Sequence, residues 1–246
     1  MSDSSVSPSE LKRQHPDEKR QSDFQNHFWA FLVVRPLSFY VAPLFLRFGL
    51  GANHVTAIGA VVLCVGLVSI ATGTSFTALA FGAVLLNLWY LLDFVDGVVA
   101  RYNETSSAFG AFLDWFVGVI YHVATPFVVA VALYRTDAFA FLEVSAILWF
   151  GVATVEVVFR LVRWLVLYKT TQLLPATDEE PSTDLEITPG MLAGVVSSFK
   201  APLLFLGVVL GAIDLWLLLY AAYTVAIFGP ELLIHARRLS RYDRSR

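Results

Sequence analysis

Three carboxylates and an arginine stand at regular spacing in an otherwise apolar part of this chain: Asp93, Asp96 and Arg101 in one run, Asp114 in the next. Before them, from Val55 to Leu92, there is no Asp, Glu, Lys or Arg. On a helix, positions 93, 96, 97, 100 and 101 share a face, because i, i+3, i+4, i+7 and i+8 stack. Gly110 and Asp114 are one turn apart on the following helix. Two carboxylates from one helix and one from its neighbour can converge on a point, and hard divalent cations such as Mg²⁺ or Mn²⁺ take oxygen ligands of this kind. Gly97, Ala100 and Gly110 are small, so a ligand or a neighbouring helix can approach the backbone closely. The plainer reading is a packing device in which the acids pair with Arg101. Charge at membrane depth is costly, however, and survives chiefly at functional sites.

That depth follows from composition. Of the 246 residues, 57% are hydrophobic and 15% charged, against about 25% charged in a soluble domain. Mean hydropathy is +0.66. The fold class expected is all-α: a polytopic membrane helix bundle of six transmembrane helices plus an N-terminal interfacial amphipathic helix. A net charge of -3 gives no reason to expect nucleic acid as a partner. The lone cysteine, Cys64, cannot form an internal disulfide.

Residues 1–23 are polar and charged, with no apolar core of a signal peptide behind them; they read as a disordered cytoplasmic tail. Residues 24–50 mix aromatics with Arg35, Arg47, Pro36 and Pro43. They suit an interfacial segment with Trp29, Phe31 and Tyr40 at headgroup level, an ordinary first span being the alternative. Spans of near the ~20 residues a bilayer needs are expected at 54–73, 77–99, 108–134, 138–168, 188–209 and 212–234. An acidic loop with Pro175 and Pro181 covers 169–187. The membrane domain therefore runs over 24–236, with a basic cytoplasmic tail at 237–246. Lys12, Arg13, Lys19 and Arg20 precede the spans, and Arg237, Arg238, Arg241, Arg244 and Arg246 follow them. An even number of spans puts both ends on one side, the cytoplasm by the basic bias. The 93–114 site then lies on the cytoplasmic side of the cell membrane. A soluble head group could reach it there while a lipid tail stays in the bilayer.

Two later spans carry charge as well. Glu156, Arg160 and Arg163 share one helix face, and Lys200 stands alone among apolar residues. Arg160, Arg163 and Lys200 could form an anion pocket for an acceptor, since the arginine fork donates two hydrogen bonds to a phosphate. The alternative is a Glu156–Arg160 packing pair with Arg163 reaching to the interface.

The pattern Asp93-x-x-Asp96-Gly97-x-x-Ala100-Arg101, eight residues, Gly110-x-x-x-Asp114 resembles the signature of the CDP-alcohol phosphotransferases. Arg35-Pro36-Leu37-Ser38, Asn53-x-x-Thr56 and Ser107-x-Phe109-Gly110 also look like that family. The resemblance implies a membrane enzyme that moves a substituted phosphate from a CDP-linked lipid donor to an alcohol or sugar-phosphate acceptor and releases CMP. It implies Mg²⁺ or Mn²⁺ held by Asp93, Asp96 and Asp114, and a CDP-donor site formed by Asp93, Asp96, Gly97, Ala100, Arg101 and Gly110. It also makes a homodimer plausible, with membrane lipids as surroundings.

One position departs from the pattern. The family signature ends on a fourth aspartate, taken as the general base for the acceptor hydroxyl, where this chain has Gly118. A positioned base contributes about 10²–10⁴-fold in rate. His122, one turn further on the same face, and Glu104, between the two motif halves, are the candidates to replace it. A metal-bound hydroxide or the substrate's own phosphate could also take the proton. Three readings follow: an active phosphotransferase of lipid synthesis, a non-catalytic relative that binds a CDP-linked ligand or a protein partner, and a cation transporter using the carboxylates.

Overall fold

In the computed structural model, residues 6–136, 139–173 and 189–244 are described, and among them every regular element is a helix. Two short helices open the chain, α1 (Pro8–Arg13) and α2 (Asp17–Asn26). A π-helical turn, Ala30–Val34, then runs straight into α3 (Arg35–Arg47). In that turn the Arg35 N–H bonds the Ala30 carbonyl five residues back. Pro36, which follows, has no N–H to continue the ordinary ladder. The long helices come next: α4 (Ala52–Thr72), α5 (Phe76–Tyr102), α6 (Ala108–Arg135) and α7 (Ala146–Leu173). The chain closes with α8 (Pro189–Ser198), α9 (Lys200–Leu210) and α10 (Ile213–Arg244).

Side-chain caps fix the starts of the two helices that carry the acidic motif. The Ser75 hydroxyl accepts from the Ala78 N–H at the head of α5, and Ser107 accepts from the Gly110 N–H at 3.0 Å at the head of α6. Between them the chain reverses through Glu104, whose φ of 52° is left-handed. α4 and α5 cross where two glycines meet. A Cβ on Gly82 would lie 2.8 Å from the Gly66 carbonyl and 2.7 Å from Ile70 Cγ1. The main core lies inside α4, α5, α6, α7, α9 and α10, around Leu63, Leu86, Tyr121, Leu133, Leu204 and Leu217. A second core joins α1 and α3 to α4 and α5 through Leu11, Phe39, Val55 and Val95. Asp214, fully buried, ties the segment after α6 to α10 by accepting from the Phe141 and Leu142 N–H groups at 2.9 and 2.7 Å.

Among the described residues, five helices are long and apolar enough to cross a membrane: Ala30–Arg47, α4, α5, α6 and α10. They differ from the expected set in three places. The stretch read as interfacial, 24–50, contains one of the five. The expected span at 138–168 corresponds to α7, which has the length but carries Glu156, Arg160, Arg163 and Lys169. The expected span at 188–209 is two helices, α8 and α9, that meet at Phe199. The stretch read as a disordered tail contains, from Pro8 on, α1 and α2, with Leu11 and Asp23 buried. The basic segment from 237 continues α10 without a break to Arg244. From residue 174 the acidic loop lies outside the described residues.

Candidate active site

Asp93, Asp96, Gly97, Ala100 and Arg101 project from the C-terminal third of α5, and Gly110 and Asp114 from the first two turns of α6. The Ser107 cap sets where α6 begins, and Asn53 packs against that start, its Oδ1 2.9 Å from where a Gly110 Cβ would sit. Two adjoining cavities lie between these helices. The larger, about 400 Å³, is lined by Asp93, Asp96, Gly97, Arg101, Asp114, Gly118 and His122. The smaller, about 180 Å³, is lined by Asn53, Thr56, Asp96, Gly97, Ala100, Gly110 and Asp114. Every residue assigned from sequence to the carboxylate motif thus faces one cavity or both.

Asp96 is buried, and the Thr56 hydroxyl on α4 donates to its Oδ2 at 2.6 Å. Asp93 from α5 and Asp114 from α6 line the larger cavity together. Facing carboxylates repel, and a cation between them relieves this. Among the described residues no three His, Cys, Asp or Glu side chains are already gathered as a metal cluster. The donor set still fits a hard divalent ion by its chemistry: three carboxylates on one cavity wall. Arg101 lies over Gly97, where an added Cβ would stand 3.4 Å from its Nη1. Its Nη2 is buried without a hydrogen-bond partner. That leaves guanidinium N–H groups free for an anion.

Gly118 lines the larger cavity, and a Cβ built on it meets nothing within 4 Å. His122 also reaches that cavity, with Nδ1 buried and unpartnered and its ring 5.8 Å from Trp164, edge to face. Glu104 is exposed and lines neither cavity.

The cations expected to meet an acceptor are placed elsewhere. Arg160 donates from Nε and Nη2 to Glu156 Oε1 at 2.9 and 2.5 Å, and from Nη2 to Thr224 at 3.4 Å. Arg163 forks onto both oxygens of Glu231 on α10. Lys200, fully buried, holds Nζ 3.5 Å from Glu156 Oε1 and donates to the His122 carbonyl at 3.3 Å. None of the three lines either cavity.

Residues not assigned to the site from sequence complete the wall. Lys19, Asp23 and His27 of the N-terminal segment and Arg35 of α3 face the larger cavity. Arg35 Nε donates to Asp23 Oδ2 at 2.7 Å, both side chains are buried, and the guanidinium lies 4.5 Å from the centre of the Phe94 ring. Burial works to raise the Asp23 carboxyl, but His15, Arg35 and Lys19 outweigh it and hold it at about 2. Burial also keeps the His27 imidazole below its ordinary range, with Asp23 pulling the other way. Arg35 gave the available signal, as a charge in an apolar stretch and as the first residue of the family-like run Arg35-Pro36-Leu37-Ser38. Nothing in the spacing pairs position 23 with position 35.

Residues 50–228 match the family model described as CDP-alcohol phosphatidyltransferase. The chain is also similar to the archaetidylinositol phosphate synthase of Methanothermobacter thermautotrophicus, 36% identical over 75 residues. That match covers 30% of this chain and 36% of the archaeal protein.

Proposed function

The chain belongs to the CDP-alcohol phosphatidyltransferase family, and we propose that it is a membrane phosphotransferase of phospholipid synthesis. It moves a substituted phosphate from a CDP-linked lipid donor to an alcohol or sugar-phosphate acceptor, and CMP leaves. What carries this reading is that the spaced carboxylates, the small residues between them and Arg101 share the walls of two adjoining cavities. The archaeal relative, named for a product that retains a phosphate, favours a phosphorylated acceptor.

In this mechanism Asp93, Asp96 and Asp114 would hold a divalent ion. Mg²⁺ or Mn²⁺ bound there would neutralise charge on the phosphate oxygens and on departing CMP. Thr56 fixes one oxygen of Asp96 and so orients the other. Gly97, Ala100 and Gly110 let the pyrophosphate approach the backbone, and Arg101 offers its unpartnered N–H groups to it. His122 is the nearest side chain past Gly118 that can accept the acceptor's proton. Arg160, Arg163 and Lys200 serve an anionic acceptor only if it displaces Glu156 or Glu231 as their partner. In this reading α4, α5, α6, α7, the α8–α9 pair and α10 are the six spans of the cytoplasmic membrane, Ala30–Arg47 with its Pro36 and Pro43 is the interfacial segment, and both ends and the site lie on the cytoplasmic side. It works as a monomer or a homodimer.

The test is CMP release by purified protein with Mg²⁺ or Mn²⁺, a CDP-linked lipid and a pool of alcohols and sugar phosphates, beside Asp96→Asn. Release that disappears in the variant supports transfer at this site; release that persists in it overturns the assignment. The Gly118 position favours a second reading, a relative that binds a CDP-linked ligand without turnover. Metal-dependent binding of the donor with no CMP release would select that one.

A further inference from the structure

The Asp23–Arg35 pair has a second side. Facing away from the carboxylates, both residues line another cavity of about 460 Å³, formed by α1, α2 and the Ala30–Arg47 segment. Its polar wall is basic: Lys12, Arg13 and Arg20 join Arg35 there, against Asp17 and Asp23. Its other wall is apolar, made by Phe31, Leu32, Pro36 and Phe39. Between the two stands His15, whose side chain is 6% exposed. Neither of its ring nitrogens has a hydrogen-bond partner. Its Nε2 faces Asp23 Oδ2 at 3.6 Å, an ion-pair contact when the ring is protonated, and the ring edge is packed on Phe39. A buried Nδ1 without a hydrogen bond loses one that water would supply, so the site has a place for a polar occupant.

We propose that this cavity binds the phosphate of an anionic lipid head group, with the acyl chains along Phe31, Leu32 and Phe39. Lys12, Arg13 and Arg20 supply the charge, His15 supplies a donor, and the apolar wall distinguishes a lipid from free phosphate. Leu32 is 52% exposed, which leaves the apolar side open for chains to enter. Basic residues on short helices beside a membrane-spanning segment are placed to attract anionic lipid. Residues 12–39 lie outside the stretch that matches the family model. The site does not depend on the transfer reaction, because it shares no carboxylate of the motif. The Asp23–Arg35 pair is the partition between the two cavities.

The experiment is native mass spectrometry of the full chain released from phosphatidylcholine nanodiscs containing a tenth phosphatidylglycerol. Wild type is expected to retain phosphatidylglycerol in preference to phosphatidylcholine. Lys12→Ala/Arg13→Ala/Arg20→Ala should lower that retention about tenfold, and His15→Leu several-fold. Arg237→Ala/Arg238→Ala/Arg241→Ala removes the same charge from α10 and should leave it unchanged. Inorganic phosphate at millimolar levels should not displace the lipid; if it does, and the N-terminal triple variant abolishes the effect, the phosphate site stands and its occupant is soluble. Equal retention in wild type and both N-terminal variants, or an equal loss in the α10 variant, would overturn the proposal.

Discussion

Asp23 and Arg35, twelve residues apart, meet at 2.7 Å with 1% and 6% of their surfaces exposed. The pair ties α2 to the start of α3 and closes one wall of the larger cavity. Because Asp23 is held at about 2 when folded, against about 3.9 in an unfolded chain, the folded state binds its proton less readily. The stabilisation is therefore full above pH 4 and is lost as pH falls through 2; it amounts to about 2 kcal/mol. The stability difference between wild type and Asp23→Asn, measured by unfolding in detergent, should shrink by that amount between pH 6 and pH 2. A constant difference would show that Asp23 titrates normally.

Thr56 is the only described side chain hydrogen-bonded to Asp96. Thr56→Val keeps the shape and removes the donor. Hydrogen bonds to charged groups contribute about 1.5–3 kcal/mol, so the variant should lose about tenfold or more in metal-dependent donor binding while Tm changes little. Asp96→Asn should remove that binding altogether. Titration calorimetry with a CDP-linked lipid reads both.

Gly118→Asp places a carboxyl in open space beside Asp114. The variant should fold with unchanged Tm. If the missing base limits turnover, CMP release rises by about 10²-fold or more. An unchanged rate that then falls in His122→Phe would assign proton transfer to His122.

The α4–α5 crossing leaves no room at Gly82. Gly82→Ala forces the Gly66 carbonyl and Ile70 apart, and should cost about 1–3 kcal/mol as an overpacked contact. Gly151→Ala, with nothing within 4 Å of the added Cβ, should leave Tm unchanged or raise it, since alanine favours helix. Thermal unfolding of the two variants side by side makes the comparison.

Glu156 joins Arg160 at 2.5 Å but Lys200 at only 3.5 Å. Arg160→Met strands a buried carboxylate and should cost about 3–5 kcal/mol; Lys200→Met leaves the Arg160 pair intact and should cost less. If these cations also meet an acceptor, Lys200→Met raises the acceptor KM without a matching fall in Tm.

The spaced carboxylate motif and the helices that bear it are both open to a reading of the chain alone. Asp93 and Asp96 are legible because a helical period puts them on one face of α5, and Asp114 because it stands one turn past Gly110 on the next helix in a largely uncharged stretch. The caps Ser75 and Ser107 are local as well, each bonding within its own first turn. Pairings between distant positions come only from the folded chain. The Glu156–Arg160 pair is local and open to the sequence, but the Glu231 partner of Arg163 comes from α10, and the Lys200 that joins Glu156 comes from α9. The π turn before Pro36 depends on which backbone bonds a proline leaves open, and no composition signals it. The N-terminal segment is the clearest instance. Its charged composition reads as a solvated tail because an isolated charge prefers water. A buried Asp23 becomes stable only when Arg35 and His15 are brought beside it, and that is a property of the folded chain.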